Sequence, residues 1–511
     1  MSLSNSHPEF TAFLNDWIQV QDCYNGERAI KNKTTTYLPA TTGMLIDGYG
    51  KGTPALDATG TVIINLGQAA YEAYLLRARF PNHVKEAIEI AVGMMHRHPP
   101  TIKVPKVMEP MLENLGVFGE SANDVLRKIN HDQLLIGRVG LLLDFPTSTE
   151  LGKDLPYIAL YHATKIINWD DGRREELTSQ TLNLVVLDES EYERQADFSW
   201  QRVEKYRVLV LGDVMSNESV APYKFGVFKG PDLQFSELDL KTPQFRGKTF
   251  DKIPFVFCNS IDLVASPVAP PLMDLSNLCL TIYRGEADYR QNLFMQGQDT
   301  LVIIGGSTED DGTAKRVGAG AVLNLGIGGD AKYIGVESDG LSEQREALVQ
   351  DRMRAGGMGA GVLDTTQRER ESGDSLDTRI AARTADLNQI ALTGAKALER
   401  SLQQAAEWMG EDPSEVSVIP NFEFGDMPIS TQSLVELAAA KNAGFPISAK
   451  SMHAISVKRR YTTKSFEEET KEIEEEKDTV YDPMVKAKAM ADLNPNNTGP
   501  EQPKKQKEEP K

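Results

Sequence analysis

The sequence predicts an α+β protein, and three features of its hydrophobic pattern predict this class. Short apolar runs bounded by Gly, Pro, Asp and Asn follow one another from residue 138 to residue 258, as buried strands do. Apolar residues with helical spacing occur in the same region and dominate after residue 270. A glycine-rich, strand-like stretch, residues 301–339, lies between two helical segments. Residues 1–270 are therefore predicted to mix helices and strands, whereas residues 270–410 are organised differently.

The first predicted helix covers residues 68–80, with Tyr71 and Tyr74 on its apolar face and Pro81 ending it. A second helix is predicted over residues 121–137, and it leads directly into an apolar strand. The strands are predicted at residues 138–146, 157–161, 182–187, 206–211 and 254–258.

Three helices are predicted after residue 270. Residues 271–297 carry apolar side chains at intervals of three and four, and the preceding prolines suit a helix start. Residues 342–355 form the second helix, which breaks at a glycine-rich segment. Residues 375–409 form the clearest helix, at 1.5 Å per residue roughly 50 Å long. A helix of this length predicts either a kink near Gly394 or an elongated subunit.

The C-terminal part begins with a predicted strand at residues 416–419 and a helix near residues 432–442. Residues 466–478 hold eight acidic residues and two lysines, typical of an exposed helix face or an interaction segment. Residues 493–511 are rich in Pro, Asn, Lys and Glu, and this composition predicts a disordered end.

Composition is that of a soluble globular protein from a reducing compartment. The chain has 511 residues, 40% of them hydrophobic, and a formal net charge of −19. Its cysteines, Cys23, Cys258 and Cys279, are too scattered for a disulfide framework, and each is interpreted as a small buried hydrophobe. No secretion signal or membrane segment is expected. The acidic balance argues against tight binding of nucleic acid through phosphates, but not against nucleic acid sliding past.

No motif in the sequence demands catalysis, a cofactor or a metal. The glycine-rich region has no phosphate-binding loop of the GxxxxGK[ST] type, and Asp330 directly follows Gly328-Gly329, so turns are the favoured interpretation. His96 and His98 flank Arg97 without a third ligand, which favours a surface loop over a zinc site. The adjacent acids Asp188-Glu189 and Asp310-Asp311 are expected to be solvated.

Several blocks occur in a recognisable order. Trp17, Gly26 and residues 37–39 (YLP) precede the helix that ends in RARF at residues 77–80. After these come residues 137–146 (GRVGLLLDFP), 166–169 (IINW), 206–211 (YRVLVL), 372–387 (SGDSLDTRIAARTADL) and 443–452 (AGFPISAKSM). Over residues 17–461 this ordered set resembles the portal proteins of tailed bacteriophages, in a branch often labelled only as a domain of unknown function.

The resemblance implies an elongated, portal-like α+β subunit in a ring that usually has twelve copies. It would divide into a mixed wing (1–270), a stem helix (271–297), a β-containing clip (298–341) and a second stem helix (342–355). A channel loop (356–374), a long kinked helix (375–410), a wing return (411–442), a helical crown (443–480) and a disordered tail (481–511) would follow.

Two sets of residues are assigned roles on this basis. The channel loop would face DNA, and its glycines and mixed charges suit mobility and weak, salt-sensitive contact. The apolar stripe of the long helix is expected to contribute to packing between subunits. The channel-loop residues are Gly356, Gly357, Gly359, Gly361, Arg368 and Arg370, and the subunit-packing residues are Leu387, Leu398 and Leu402.

The implied function is a non-enzymatic conduit for packaging and ejection of double-stranded DNA at one capsid vertex, where the tail attaches. The implied partners are further copies of the chain, double-stranded DNA, the major capsid protein, a scaffold, the large terminase subunit and a head-completion or tail adaptor protein. The chain would occupy the virion, and the host cytoplasm during assembly, without a membrane. A nucleotide- or phosphate-binding enzyme using residues 305–340, or another minor virion assembly protein, remains the alternative.

Overall fold

The structure is a computed structural model of the chain, and its described residues fall into two units, Met1–Gly425 and Asp426–Lys511. The described residues are 3–51, 65–145, 155–172, 182–211, 222–230, 235, 239–244, 249–296, 300–304, 330–334, 339–359, 373–422, 439, 441, 445–458 and 464–478.

The described residues of the first unit contain both helices and strands, and those of the second contain helices. In the first unit they are α1 (Pro8–Asn25), α2 (Glu27–Asn32), α3 (Thr42–Ile46), α4 (Leu66–Arg77), α5 (His83–Met95), α6 (Ala122–Ile136), α7 (Met273–Gln296), α8 (Asp339–Gly359) and α9 (Gly373–Met409). The second unit contains α10 (Ala449–Lys458) and α11 (Phe466–Asp478). None of the described helices is long and apolar enough to cross a membrane.

The strands all lie in the first unit as far as the described residues extend. They are β1 (Thr101–Lys103), β2 (Arg138–Asp144), β3 (Tyr157–His162), β4 (Ile166–Asp170), β5 (Leu184–Asp188), β6 (Glu191–Arg194), β7 (Trp200–Val203), β8 (Lys205–Leu211), β9 (Tyr223–Lys229), β10 (Phe255–Asn259), β11 (Thr300–Ile304), β12 (Asp330–Ile334) and β13 (Ser417–Ile419).

Two antiparallel sheets form the β part of this unit. One has the strand order β10-β2-β3 and the other β4-β5-β8-β9. Three further pairs, β1-β13, β6-β7 and β11-β12, are two-stranded. The pair β1-β13 connects the segment that follows α5 with the segment that follows α9, so it links two parts of the unit that are far apart in sequence.

Local sequence signals set the junction between α6 and β2. Ser121 and Asp124 form a capping box at the start of α6, each side chain accepting from the other residue's backbone N–H. Gly137 ends the helix at a φ of 74°, and its N–H donates to the carbonyl of Gln133. Because only glycine adopts this left-handed conformation without strain, the chain can turn here directly into the buried strand β2.

The core of the first unit is continuous and lies between helices and the three-stranded sheet. Helix α9 packs on α6, β2 and β10, and helix α7 packs on α1, α4 and α5. Trp17 on α1, Tyr71 on α4 and Tyr283 on α7 are among its largest fully buried side chains. These large residues place the N-terminal helices around the start of α7.

The helices and strands predicted within the described residues are present, with shifted ends. The helix predicted at 68–80 is α4, the helix predicted at 375–409 is α9, and the run predicted at 138–146 is β2. Helices α1 and α5 lacked a prediction. Both carry apolar residues at helical spacing, Phe10, Leu14 and Trp17 on α1 for example, so the local pattern was sufficient to predict them.

Some predictions fall outside the described residues. Residues 305–329 and 335–338 of the predicted clip, nearly all of the helix predicted near 432–442, and the tail after residue 478 belong to this group. The boundary between the two units, after Gly425, falls inside the predicted wing return. Helix α9 runs from Gly373 to Met409 with Gly394 inside it, and the kink near Gly394 or the elongated subunit stays a prediction.

Candidate functional site in the paired helices

Helices α7 and α8, predicted as the stem, lie side by side and antiparallel. The side-chain amide of Asn292 on α7 donates to Oε1 of Gln344 on α8 at 3.1 Å. Farther along, Arg352 of α8 contacts Glu286 of α7. Residue numbers fall on one helix as they rise on the other, which establishes the antiparallel direction.

An ion cluster centred on Glu286 joins the two helices. The Glu286 side chain is 5% exposed and accepts a hydrogen bond from Nε of Arg290, one turn along α7, at 2.7 Å. It also accepts from the guanidinium of Arg352, which comes from α8. A buried carboxylate without such partners would be costly, so this cluster fixes the register of α8 against α7.

Small residues let the two helices approach closely beside this cluster. A Cβ placed on Gly285 would lie 3.0 Å from Cδ2 of Leu348 on α8. Ala287 on α7 and Ala355 on α8 are fully buried. The pair is therefore packed tightly near the body of the unit.

Polar contacts anchor α7 to the N-terminal helices. The Tyr74 hydroxyl of α4 donates to Oδ1 of Asp288 at 2.5 Å, and burial together with this hydrogen bond raises the pKa of Tyr74. Nε of Arg284 donates to the backbone carbonyl of Tyr37 at 2.9 Å. Arg284 and Asp288 are one turn apart, so these two contacts attach the middle of α7 to the N-terminal part of the chain.

Both helices of the pair expose apolar side chains. Leu293 and Met295 on α7 are 43% and 54% exposed, and Val349 and Met353 on α8 are 44% and 64% exposed. Exposed apolar surface of this kind is typical of regions that contact another molecule. Beside them lies an open groove of about 400 Å³, lined by Tyr289, Leu341, Ser342, Arg345, Glu346 and Val349.

A two-stranded hairpin lies between the two helices in the chain. Strand β11 begins four residues after α7 ends, and β12 ends five residues before α8 begins. The strands are antiparallel, with Thr300 opposite Ile334 and Ile304 opposite Asp330. The chain therefore has the order helix, hairpin, helix and long helix over residues 273–409.

The apolar stripe of α9 is buried inside its own chain. Leu398 and Leu402 are fully buried and Leu387 is 8% exposed, with α6, β2, β10 and β13 as the neighbours of this helix. A side chain covered by its own chain cannot also pack against a second copy. The prediction that Leu387, Leu398 and Leu402 pack between subunits is therefore wrong, and these residues stabilise the single chain.

Gly394 marks a close approach between α9 and α6. A Cβ at this position would lie 2.2 Å from Oδ1 of Asn130 and 2.8 Å from Oε1 of Gln133, both on α6. Both polar side chains are buried. Glycine is present here because a larger residue would push α6 away.

Helix α8 extends four residues beyond its predicted end. Gly356, Gly357 and Gly359 therefore lie in the last turns of a helix, where a loop was predicted to start. Gly361, Arg368 and Arg370 lie outside the described residues. The DNA-facing role of all six residues stays a prediction.

The cysteines behave as predicted, as buried apolar residues. All three are free and buried. Burial raises the pKa of the Cys23 and Cys258 thiols, and it raises that of Cys279 to about 11. Across the described ranges, no three His, Cys, Asp or Glu side chains are grouped so that they could hold a metal ion.

One expectation about polar residues is wrong: Asp188 and Glu189 are ion-paired, since Nζ of Lys165 lies 3.0 Å from Asp188 and Nε of Arg207 lies 2.6 Å from Glu189. Residues 96–98 form the turn after α5, as the predicted loop requires. Within this turn His96 is half-buried, its Nε2 accepts from the Asn130 amide at 3.0 Å, and burial lowers its pKa. The pair Asp310-Asp311 lies outside the described residues.

The buried Glu286 cluster and the Gly394 contact were missed by sequence reasoning. Glu286 lies one turn before Arg290, but an i, i+4 pair of this kind is usually a surface feature. Its third member, Arg352, is sixty-six positions away in sequence. Only Gly394 carried a signal, because a glycine inside a strong helical pattern often has a packing reason.

Comparison with known proteins gives one family and several structures. The family model described as Domain of unknown function (DUF4055) matches residues 271–409. This match confirms the expected resemblance to a branch labelled as a domain of unknown function, over the two paired helices, the hairpin and α9. No curated protein sequence matches the chain significantly.

Solved structures similar to this chain come from gene transfer agent (GTA) particles. A chain from the neck of a native GTA particle, computed with C12 symmetry, is 12% identical to this chain, with a TM-score of 0.38. The match covers 73% of this chain and 89% of the neck chain. A chain from the neck of an empty GTA particle, computed with C6 symmetry, is 12% identical, with a TM-score of 0.39. The match covers 81% of this chain and 98% of the neck chain. A chain from the virion of the native particle is 11% identical, with 81% and 98% covered and a TM-score of 0.36.

Proposed function

We propose that this chain is a portal protein of a tailed-phage-like particle. Copies of it would form a ring at one capsid vertex, with twelve subunits as the expected number. Double-stranded DNA would pass through the central channel during packaging and ejection, and the tail would attach to the ring. The ordered sequence blocks from Trp17 to residue 461 support this function.

The observation that carries the proposal is the order of elements from α7 to α9. Two antiparallel helices are joined by the ion pair between Glu286 and Arg352. Two antiparallel strands lie between them in the chain, and a helix of 37 residues follows. This order is the one that the resemblance implies for a stem, a clip and the long helix after them.

The exposed surface of the helix pair supports assembly. In a closed ring of identical subunits, one surface of each copy meets a different surface of the next. The exposed Leu293 and Val349, with the groove beside Tyr289, offer apolar surface for such a contact. Assembly of the proposed ring would then bury residues that a single chain leaves in water.

The proposed role is that of a conduit without catalysis of its own. A separate motor, the large terminase subunit, would supply the work of packaging, and the capsid protein, a scaffold and a head-completion or tail adaptor protein would contact the ring. A net charge of −19 favours weak contact with DNA, because cationic contacts to phosphates bind DNA tightly.

Mass and shape test this proposal directly. Twelve copies of the 56.5 kDa chain would have a mass of about 700 kDa. We expect light scattering of purified protein to give a mass in this range and negative-stain images to show rings with a central hole. A stable monomer to tetramer at every concentration, with no rings, would contradict the proposed function.

A matched pair of variants tests whether the exposed surface of α7 forms the contact between subunits. Leu293→Asp places a charge on the exposed surface of α7 and is expected to prevent ring formation while the melting temperature of the single chain stays close to that of the parent. Leu293→Met keeps the surface apolar and should assemble normally. Rings formed by the Asp variant would show that this surface is not the contact.

A further inference from the structure

A two-stranded ribbon extends from the end of the four-stranded sheet. The pairing of β5 with β8 ends at Asp188 opposite Tyr206, and β6 and β7 continue from there. Their register starts with Glu191 opposite Val203, and the two strands pair only with each other among the described residues. The ribbon therefore projects beyond the sheet that carries it.

The two faces of the ribbon differ in chemistry. Side chains alternate between the faces of a strand, so Glu191 and Glu193 share one face of the ribbon. Residues opposite each other in the register also share a face, so the residues of the second face can be assigned on both strands. The second face, here named the aromatic–arginine face, consists of Tyr192, Arg194, Trp200 and Arg202, with Phe198 from the turn beside Arg194.

Charge is balanced on the first face and unbalanced on the second. Nζ of Lys205 lies 3.2 Å from Glu191, and Nζ of Lys229 lies 2.5 Å from Glu193. By contrast, Arg194 and Arg202 have no carboxylate partner among the residues that the structure describes. The ribbon therefore presents two unpaired guanidinium groups on one side only.

The aromatic residues of this face meet solvent. Tyr192 is 67% exposed, Trp200 65% and Phe198 76%. Tyr, Trp and Arg are the residue types that most often dominate the binding energy of protein interfaces. Three large rings around two unpaired cations are therefore unusual for a surface without a partner.

The turn of the ribbon holds Phe198 in a strained conformation. Its φ is 65°, a region that a bulky residue adopts at a cost in free energy. Hydrogen bonds maintain the turn: the N–H of Gln195 donates to the carbonyl of Ser199 at 2.8 Å, and that of Phe198 to the carbonyl of Gln195 at 3.1 Å. A three-residue hairpin loop normally has its last residue in this left-handed conformation, and here it places the exposed Phe198 ring 5.5 Å from Cζ of Arg194.

We propose that the aromatic–arginine face docks an acidic segment of another protein. Carboxylates of the partner pair with Arg194 and Arg202, and its apolar side chains cover Tyr192, Phe198 and Trp200. Charge complementarity favours this occupant over nucleic acid, because two cations neutralise few phosphates and the reverse face is built on glutamates. The inference is independent of the proposed portal function.

A fluorescent peptide tests the proposal on the full chain. The probe is a fluorescein-labelled synthetic peptide of glutamates interspersed with leucine and phenylalanine, and its control carries glutamine in place of every glutamate. Anisotropy should show binding of the glutamate peptide that weakens with added salt, and at least tenfold weaker binding of the control. Equal binding of both peptides, or of neither, would overturn the proposal.

Matched variants locate the binding on the ribbon. The double variant Arg194→Gln/Arg202→Gln should weaken binding at least about tenfold, and Trp200→Ala should weaken it as well. The double variant Glu191→Gln/Glu193→Gln changes the reverse face of the same strands and should bind as the parent does. Unchanged binding in the arginine variant, with a parental circular dichroism spectrum, would exclude this face.

Tryptophan fluorescence gives a second readout that does not depend on affinity alone. The chain has four tryptophans, and Trp17, Trp169 and Trp408 are at most 4% exposed, whereas Trp200 is exposed. Iodide should therefore quench Trp200 selectively, and the glutamate peptide should protect it. If a single-stranded oligonucleotide protects Trp200 and the peptide does not, the face binds nucleic acid and the proposal is wrong.

Discussion

At the scale of single residues, Gly394 shows how a missing side chain sets the distance between two helices. Asn130 and Gln133 of α6 point at the backbone of α9 where a Cβ would otherwise be. Neither oxygen that faces Gly394 has a hydrogen-bond partner among the described residues. The site is close-packed and has no space for a methyl group.

Gly394→Ala is expected to lower the free energy of unfolding by about 1–3 kcal/mol, because overpacking forces one helix to shift. Gly357→Ala is the matched control, since it also lies in a helix but its Cβ would meet nothing within 4 Å. Alanine there should leave stability unchanged or raise it by up to about 1 kcal/mol through helix propensity. Urea unfolding of both variants measures the difference, and equal midpoints would contradict the close contact.

Cys279 predicts a loss of stability at alkaline pH. Burial raises the pKa of its thiol from 9.0 to about 11, so the folded chain keeps this proton to higher pH than the unfolded chain. Stability from this group is complete below pH 9 and decreases as the pH rises towards 11, by at most about 1.4 kcal/mol per pH unit. Unfolding of the parent and of Cys279→Ala at pH 8 and pH 10 measures this effect, and the variant should lose less stability. An identical loss in both proteins would assign the pH dependence to other groups.

At the scale of elements, the pairing of α7 with α8 depends on contacts between residues far apart in sequence. A double-mutant cycle of Glu286→Gln and Arg352→Gln should give a coupling energy of about 0.5–3 kcal/mol. Both arginines of the cluster are nearly half exposed, so water screens part of the interaction and added salt should reduce it. The exposed pair Lys85 and Glu89 on α5 is the control, with an expected coupling below about 0.5 kcal/mol. Similar couplings in both pairs would mean that the buried cluster has no special role.

Helix α9 and the outer part of α7 both carry leucines, with different consequences. Leu398→Ala should lower the free energy of unfolding by about 2–5 kcal/mol, because it opens a cavity in the core of the single chain. Leu293→Ala, at a 43% exposed position, should change the stability of the single chain by less than about 1 kcal/mol. Thermal unfolding of unassembled protein compares the two. A small effect of Leu398→Ala would contradict burial of this side chain within the single chain and would favour its packing between subunits.

At the scale of the whole molecule, the proposed portal predicts that assembly and DNA passage can be separated. Removal of residues 365–371, which lie outside the described residues, should leave rings intact, because this segment (TTQRERE) is entirely polar and offers little apolar area to bury. The same deletion should impair packaging or retention of DNA if the segment faces the channel. Electron microscopy measures the first property and nuclease-protected DNA the second, and normal packaging would place the segment elsewhere.

The sequence alone determined which segments are helices and strands wherever the signal is local. The spacing of apolar residues identified α7 and α9, an unbroken apolar run identified β2, and Pro or Gly placed their ends within a few residues. Such patterns act over one or two turns, so they hold in any fold that contains the segment. Helix α1 carries the same local signal, with Phe10, Leu14 and Trp17 at intervals of four and three, and it could have been predicted in the same way.

Only the tertiary structure decided what each apolar face touches. The stripe of α9 predicted a covered face correctly, but its cover is α6 and the three-stranded sheet of the same chain and not a second subunit. The register of α7 against α8 depends on Glu286 and Arg352, and the close approach at Gly394 depends on α6. A periodic pattern records that a face leaves water, whereas the identity of its neighbour depends on how distant segments pack together.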